Sequence, residues 1–237
     1  AAVVRRHDGT AALGHELRTS AGIRETLEAA RDHDLWKNRV KITAQLSEDY
    51  PERRFGVGLA SEWHAVGLGV GIPDFANIII EIDPRGDITL RTGAIEIGQG
   101  NLTAYAQMLA EALEYDISRI QVIHGDTFLT PDSGTVTASR SVLINGNAIL
   151  DAVRRLKPRL IGLAAEQLGL GEDELTYAEG RVTATSDPEK TLSLAELAAI
   201  ADGKGEPITI TGAAIMLTSD KDFGEGLPHN YYTYITQ

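Results

Sequence analysis

Apolar positions recur along the chain at two periods, and the switching between them predicts its elements. From Ser20 onward, Ile23, Leu27 and Ala30 fall at helical spacing with Ser20 in the N-cap position, and this helix ends before Trp36. Residues 1 to about 20 are polar and glycine-dotted and read as a tail or linker. "FGVGLASEWHAVGLGVG" (55–71) mixes strand formers with glycines, the pattern of a bent or closely approached strand. The clearest hairpin is "ANIIIEIDPRGDITLRTG": Ile78, Ile80 and Ile82 share a face, Asp83 to Gly86 make the turn, and Ile88 and Leu90 return. After Gly100, Leu102, Ala106, Leu109, Ala110 and Leu113 form one apolar stripe of a helix. "RIQVIHG" is a short strand, and 125–140 has no period at all. Structureless loops that long in a compact domain are more often functional than idle.

Beyond that loop, a helical pattern runs from about Asn147 to Leu168, with Pro158 either kinking it or starting a second helix. "ELTYAEGRVTATS" reads as a hairpin turned at Glu179-Gly180, "SLAELAAIAD" as a helix with a Ser193/Glu196 capping box, and "EPITITGAAI" as a strand. Hairpins dominate the strand pairs, so the fold class is α+β, with mixed or antiparallel sheets and packed helices. Sheet-and-helix units fall near 76–124 and 141–201, which divides 21–237 into parts of about 55–140 and 141–237, with no sequence repeat.

The 237 residues suffice to bury a core. Twenty-two basic against 34 acidic residues give a net charge of −12, a poor match for a phosphate backbone, so nucleic acid is not an expected partner. Local basic clusters at Arg5-Arg6, Arg53-Arg54 and Arg154 to Arg159 read as solvated faces and helix ends. The absence of cysteine excludes disulfides, thiolate zinc sites, a cysteine nucleophile and any iron–sulfur cluster ligated from within these residues. No apolar run approaches the roughly 20 residues of a membrane span, and the first residues lack the order of a signal peptide, so the expected location is the cytoplasm. "YYTYITQ" alternates like a strand in mid-course at the end of the chain, which suggests an excised domain or split subunit.

Two stretches could carry chemistry. Gly98-Gln99-Gly100 opens a helix, where free N–H groups and the dipole favour anions, the glycines admit close approach, and the glutamine adds an amide. Taken by itself, the tripeptide reads more simply as a turn whose Gln99 caps the helix. The loop "TPDSGTVTASR" and the following "LINGNAI" bring Thr130, Asp132, Ser133, Thr135, Thr137, Ser139, Arg140, Asn145 and Asn147 together ahead of a helix. Such a set could cradle a phosphate and a polar ring, or could simply be a solvated loop. The six scattered histidines (7, 15, 33, 64, 124 and 229) show no metal-ligand spacing. There is no G-x-S-x-G elbow and no phosphate-binding P-loop, and the glycines at 67–71 are not followed by a helix. Glu62, Glu81 and Glu96 read as surface carboxylates on strands.

Taken in order and spacing, "TGAIEIGQGNLTAYAQMLAEAL" and "VIHGDTFLTPDSGTVTASRSVLINGNAILDAV" resemble the molybdopterin-binding, catalytic subunit of the xanthine dehydrogenase and aldehyde oxidase molybdenum hydroxylases. "FGVGLASEW", "GVGIPDFANIIIEIDPRGDITLRTG" and "GEGLPHNYYTYITQ" fit the flanking segments, so the resemblance spans about residues 20–237. It implies a molybdenum cofactor-binding type of α+β fold. It also implies a molybdopterin cofactor, as such or in its cytosine dinucleotide form, that holds molybdenum through its own dithiolene and needs no protein metal ligand. In that pattern Gln99 turns its amide toward an oxo ligand of the metal, and Gly98 and Gly100 permit the approach. Ala138, Ser139 and Arg140 contact the pterin or its phosphate-bearing tail, with Gly146 and Asn147 nearby.

The family reaction is hydroxylation of purines, other N-heterocycles or aldehydes with water as the oxygen source and a glutamate as base. Electrons leave through iron–sulfur clusters and FAD, expected on partner subunits or domains. The family's G-x-G-E base motif is not matched: Gly224-Glu225-Gly226 lacks its flanks, and the arginine and phenylalanine motifs of the substrate pocket are missing too. The resemblance therefore implies the middle or later third of a catalytic subunit, inactive by itself, whose partners are the rest of that subunit and iron–sulfur and flavin subunits. Two other classes stay open at this level: a non-catalytic module holding a nucleotide-like anion, and a structural domain whose glycine loops are only tight connections.

Overall fold

The computed structural model describes residues 22–68, 73–216 and 230–236. Ser20, Gly69 to Gly71 and Gly224 to Gly226, singled out above, lie outside them. The described residues fall into two compact units, divided at Pro73/Asp74 and Met216/Leu217. Asp74–Met216 runs without a break across position 140, because the helix that follows packs on the sheet that precedes it.

In the first unit, α1 (Ile23–Asp32) follows the predicted spacing and buries Ala30. It is followed by α2 (Asp34–Lys37), which contains Trp36, and by α3 (Arg39–Asp49), neither of which the apolar pattern marked. Strand β1 (Ala60–Val66) pairs antiparallel with the last strand of the chain, Asn230–Thr236, so "YYTYIT" is a strand as its alternation predicts.

The second unit is built on β2 (Asp74–Ile82) and β3 (Ile88–Thr92), the predicted hairpin. Burial alternates strictly along both, and Ile78, Ile80, Ile82, Ile88 and Leu90 face the core. Each such side chain contributes roughly 1.5–3 kcal/mol of transfer free energy. The helix α4 (Asn101–Leu113) covers them with Tyr105, Leu109 and Leu113, and the chain returns through β4 (Ile120–His124), parallel to β3. Thus β3, α4 and β4 form a strand–helix–strand crossover inside an otherwise antiparallel sheet, whose order is completed by β8 (Ile208–Met216) as β4-β3-β2-β8.

Helix α5 spans Ser141–Leu168 as one element with Pro158 inside it. It begins six residues earlier than the propensity of "INGN" suggests, because Ile144, Asn145, Gly146 and Ala148 are all buried there and packing overrides propensity. A three-stranded sheet packs beside it: β5 (Leu175–Ala178), β6 (Arg181–Ala184) and β7 (Asp187–Ser193), with α6 (Leu194–Gly203) opened by the predicted Ser193/Glu196 capping box. Strand β7 was not marked by the sequence pattern. It is an edge strand of charged residues that carries Pro188, where a missing N–H is tolerated.

The cluster Arg154 to Arg159 does more than solvate a helix face. Strand β8 is an edge of its sheet, and α5 covers part of its free backbone: Arg155 donates to Thr211 O, Arg159 to Thr209 O, and Asp151 accepts from Ala213 N at 3.1 Å. Unpaired edges template aggregation, and charged side chains blunt them.

Candidate functional site

The carboxyl ends of the parallel pair β3 and β4 both lie at one end of the sheet. There the chain leaves β3 through 93–100 into α4, and leaves β4 through 125–140 into α5. Ligands of open sheets with parallel strands bind outside such ends, because the connections diverge and leave a crevice. A cleft of about 400 Å³ opens there, lined by Gly93, Ile95, Gly125, Thr130, Ser133 and Gly134 among others. A larger hollow of about 660 Å³ lies at the opposite end, by the β2–β3 turn, and is lined by charges already paired, Asp83 with Arg85 and Asp87 with Arg119.

A buried polar network fixes the first end. Ser133 Oγ donates to Asn77 O (2.6 Å) and accepts from Gly93 N (2.8 Å), and Thr92 Oγ1 donates to Asn145 Oδ1 (3.0 Å) and accepts from Ala94 N (3.1 Å). The long loop is thereby stitched to β2, to the end of β3 and to the first turns of α5. Gly93 is required in this arrangement, because a Cβ there would lie 2.4 Å from Pro131 O.

Arg140 is the second stitch. Its side chain is 1% exposed and ion-paired through Nε with Asp74 Oδ1 at 2.6 Å, while the terminal nitrogens donate to Thr135 O and Phe75 O. A buried pair of this kind is costly to break by removing one partner, about 3–5 kcal/mol. It anchors Ala138 and Ser139, which adopt φ of 49° and 51°. Two successive non-glycine residues in the left-handed region store strain of order 1–3 kcal/mol each, and such strain clusters at sites that use it. Ser139 is exposed and Ala138 half-buried.

The glycine–glutamine loop is held differently from the capping reading of the sequence. Gln99 does not cap α4: its Oε1 accepts from Ile97 N (2.7 Å) and its Nε2 donates to Ile95 O (3.1 Å), so the amide is folded on its own loop and stays exposed. The cap is Glu96, which lies beyond the end of β3 and is not a strand residue. Its carboxylate accepts from Gly98 N (2.8 Å), Gly100 N (2.9 Å) and Leu102 N (3.3 Å). The Gly100 N–H above all, with those of Leu102 and Gly98, holds the Glu96 carboxyl below the usual carboxylate range against a smaller effect of burial. Gly98 and Gly100 take φ of 103° and 80°, and an added Cβ at either would meet nothing within 4 Å. The space in front of this loop is open.

Tyr105 lies under both loops. Burial pushes its phenol up, and the Glu96 carboxylate and Arg140 guanidinium act on it in opposite directions. Its hydroxyl and the Asn101 amide nitrogen one turn earlier are buried without hydrogen-bond partners. Of the remaining residues expected at the site, Gly146 is buried in α5 against Met108, and Asn147 is exposed with its amide nitrogen bonded to Leu143 O (2.7 Å). Sequence reading missed Glu96 and Asp74. The signal for Glu96 was a helix opened by glycine with no Ser, Thr, Asp or Asn at its cap and one carboxylate four residues upstream. Asp74 gave no local signal, since its partner is 66 residues away.

Fold and site together define an α+β cofactor-binding domain, with two glycine-dotted loops converging at the ends of a parallel strand pair. The chain belongs to the molybdopterin cofactor-binding domain family, whose pattern matches residues 29–237. It is 30% identical over 183 residues to the carbon monoxide dehydrogenase large chain of Hydrogenophaga pseudoflava, covering 74% of this chain and 22% of that one. It is 33% identical over 182 residues to the xanthine dehydrogenase molybdenum-binding subunit of Escherichia coli O157:H7, covering 76% and 24%. The chain thus spans less than a quarter of the length of these relatives. In fold it is similar to the CO dehydrogenase from Oligotropha carboxidovorans, with TM-score 0.63, 24% identity, and coverage of 86% of this chain and 27% of that one. Quinoline 2-oxidoreductase from Pseudomonas putida 86 is similar at TM-score 0.59 and 22% identity, with coverage of 95% and 29%.

Proposed function

We propose that this chain is the molybdopterin cofactor-binding portion of a xanthine dehydrogenase-like molybdenum hydroxylase, an oxidoreductase acting on purines, other N-heterocycles or aldehydes with water as oxygen source. The observation that carries the reading is the state of the Gln99 amide. Its carbonyl accepts from one backbone N–H and its nitrogen donates to one backbone carbonyl, which fixes the amide orientation and leaves the second Nε2–H free on an open loop. A donor held in advance, with no reorganisation needed, suits a site where negative charge develops on oxygen.

The residues present fit such a group. Gly98 and Gly100 leave room for close approach, and no protein ligand to the metal is needed, since molybdenum is held by the pterin dithiolene. Gln99 orients the metal end of the cofactor through its free N–H. Ala138 and Ser139 meet the pterin or its phosphate-bearing tail with backbone N–H groups and the Ser139 hydroxyl. Arg140, whose guanidinium is engaged within the protein, holds that loop in its strained form, and Gly146 and Asn147 support it from α5. When bound, the cofactor, as molybdopterin or its cytosine dinucleotide form, supplies the two-electron oxidation.

The catalytic glutamate, the substrate pocket, the iron–sulfur clusters and FAD belong to the rest of the subunit and to partner subunits. The 237-residue chain alone is inactive. A module that simply binds an anion at Gly98–Gly100 is disfavoured, because Glu96 already takes the N–H groups an anion would use.

Replacing Gln99 by Ala in the complete enzyme tests the reading. Turnover should fall about a hundredfold, the usual effect of losing one such donor, with molybdenum content and melting temperature unchanged. Unaltered turnover would refute the role given to Gln99.

A further inference from the structure

Glu96 clamps both flanks of Gln99 to a single atom. Gly98 N and Gly100 N donate to the same carboxylate oxygen, Oε1, at 2.8 and 2.9 Å, while Oε2 reaches Leu102 N in the first turn of α4 at 3.3 Å. Residue 99 is therefore the apex of a loop whose two sides are tied together beneath it. The ties on the Gln99 side chain itself are to Ile97 N and Ile95 O, the immediate neighbours of Glu96. Everything that sets the direction of the free Nε2–H thus runs through a six-residue loop closed by one carboxylate. Gly100, at the N-cap, has no side chain with which to do this, and its φ of 80° together with the 103° of Gly98 leaves the backbone unusually free to take other shapes.

We infer that Glu96 is a positioning residue for Gln99: it holds the Gly98–Gly100 loop in the one shape that presents the Gln99 N–H outward. This rests on the cofactor reading above. A plain helix cap would contribute to the stability of α4 and do nothing more; a positioning residue also changes what the cofactor experiences. Glu96→Gln separates these roles, since it keeps the length and the Oε1 acceptor but places an NH₂ group against Leu102 N, donor facing donor, and removes the charge that strengthens the other two bonds.

The test uses the full-length enzyme, molybdenum-loaded and also stripped of its cofactor. In the stripped form, amide hydrogen exchange of the peptide covering 95–102 should be faster in Glu96→Gln than in the parent. In the loaded form the variant should alter the Mo(V) electron paramagnetic resonance signal and lower kcat about tenfold at unchanged KM, in the same direction as Gln99→Ala and less severely. Unchanged exchange would overturn the inference, because the carboxylate would not be holding the loop. Faster exchange, with the signal altered by Gln99→Ala but not by Glu96→Gln, would also overturn it while leaving the cofactor reading standing. If neither variant moves the signal, the role given to Gln99 fails and takes this inference with it. Glu96→Asp, which keeps the charge but shortens the reach, gives the same readouts should Glu96→Gln fail to assemble.

Discussion

Gly146 and Gly212 show how far a single Cβ is felt, and why. Added at Gly146, it would lie 2.3 Å from Met108 Cε, the far end of a flexible side chain that can swing aside. Alanine also gains about 1 kcal/mol over glycine inside a helix, which offsets part of the crowding. Added at Gly212 in β8, it would lie 2.0 Å from the Ala148 carbonyl oxygen and 2.9 Å from Ala152 Cβ, and backbone cannot step away. Gly212→Ala should therefore destabilise by about 3 kcal/mol, at the upper end of overpacking costs, and Gly146→Ala by ~1 kcal/mol or less. Denaturant melts of the two variants check this, and equal losses would contradict it. At this scale the sequence was legible wherever the cue was local. Gln99 stood out because two glycines flank it. Glu96, Asp74 and the buried side of Arg140 did not, because each acquires its meaning from a partner that only the folded chain brings near.

The elements themselves were mostly legible, since the β2–β3 hairpin, α4, β4, the β5–β6 turn and the α6 capping box all follow from periodicity and turn chemistry. Two failures have physical causes. Helix α5 starts at Ser141 because Asn145 bonds Thr92 and Gly146 accepts Met108, tertiary contacts that outweigh poor propensity. Strand β7 hid because an edge strand rich in charge shows no alternation. The free edge of β8 supplies a prediction of its own. Asp151, Arg155 and Arg159, spaced one turn apart on α5, occupy backbone groups at that edge. Replacing Asp151 and Arg155 together by Ala should expose it and raise self-association, measured by light scattering at equal concentration. A variant that scatters no more than the parent would show that the edge is guarded by something else.

Across the whole molecule, what the sequence conveyed was a fold class and two loops; what it withheld was their common address. Only the parallel pairing of β3 with β4 shows that 93–100 and 125–140 leave the same end of one sheet, and that pairing is non-local and invisible to periodicity. Within that arrangement the loops are braced from behind by the Ser133–Gly93–Asn77 and Arg140–Asp74 contacts and left open in front. A scaffold braced in this way suits a large preformed cofactor better than a mobile substrate, and its relatives are subunits several times its length. The central claim is that this surface carries molybdopterin. Metal analysis and pterin assay on the full-length protein, produced with the products of its neighbouring genes, test it most directly. The account predicts molybdenum and pterin in equal, near-stoichiometric amounts; protein that is fully folded yet free of both would contradict it.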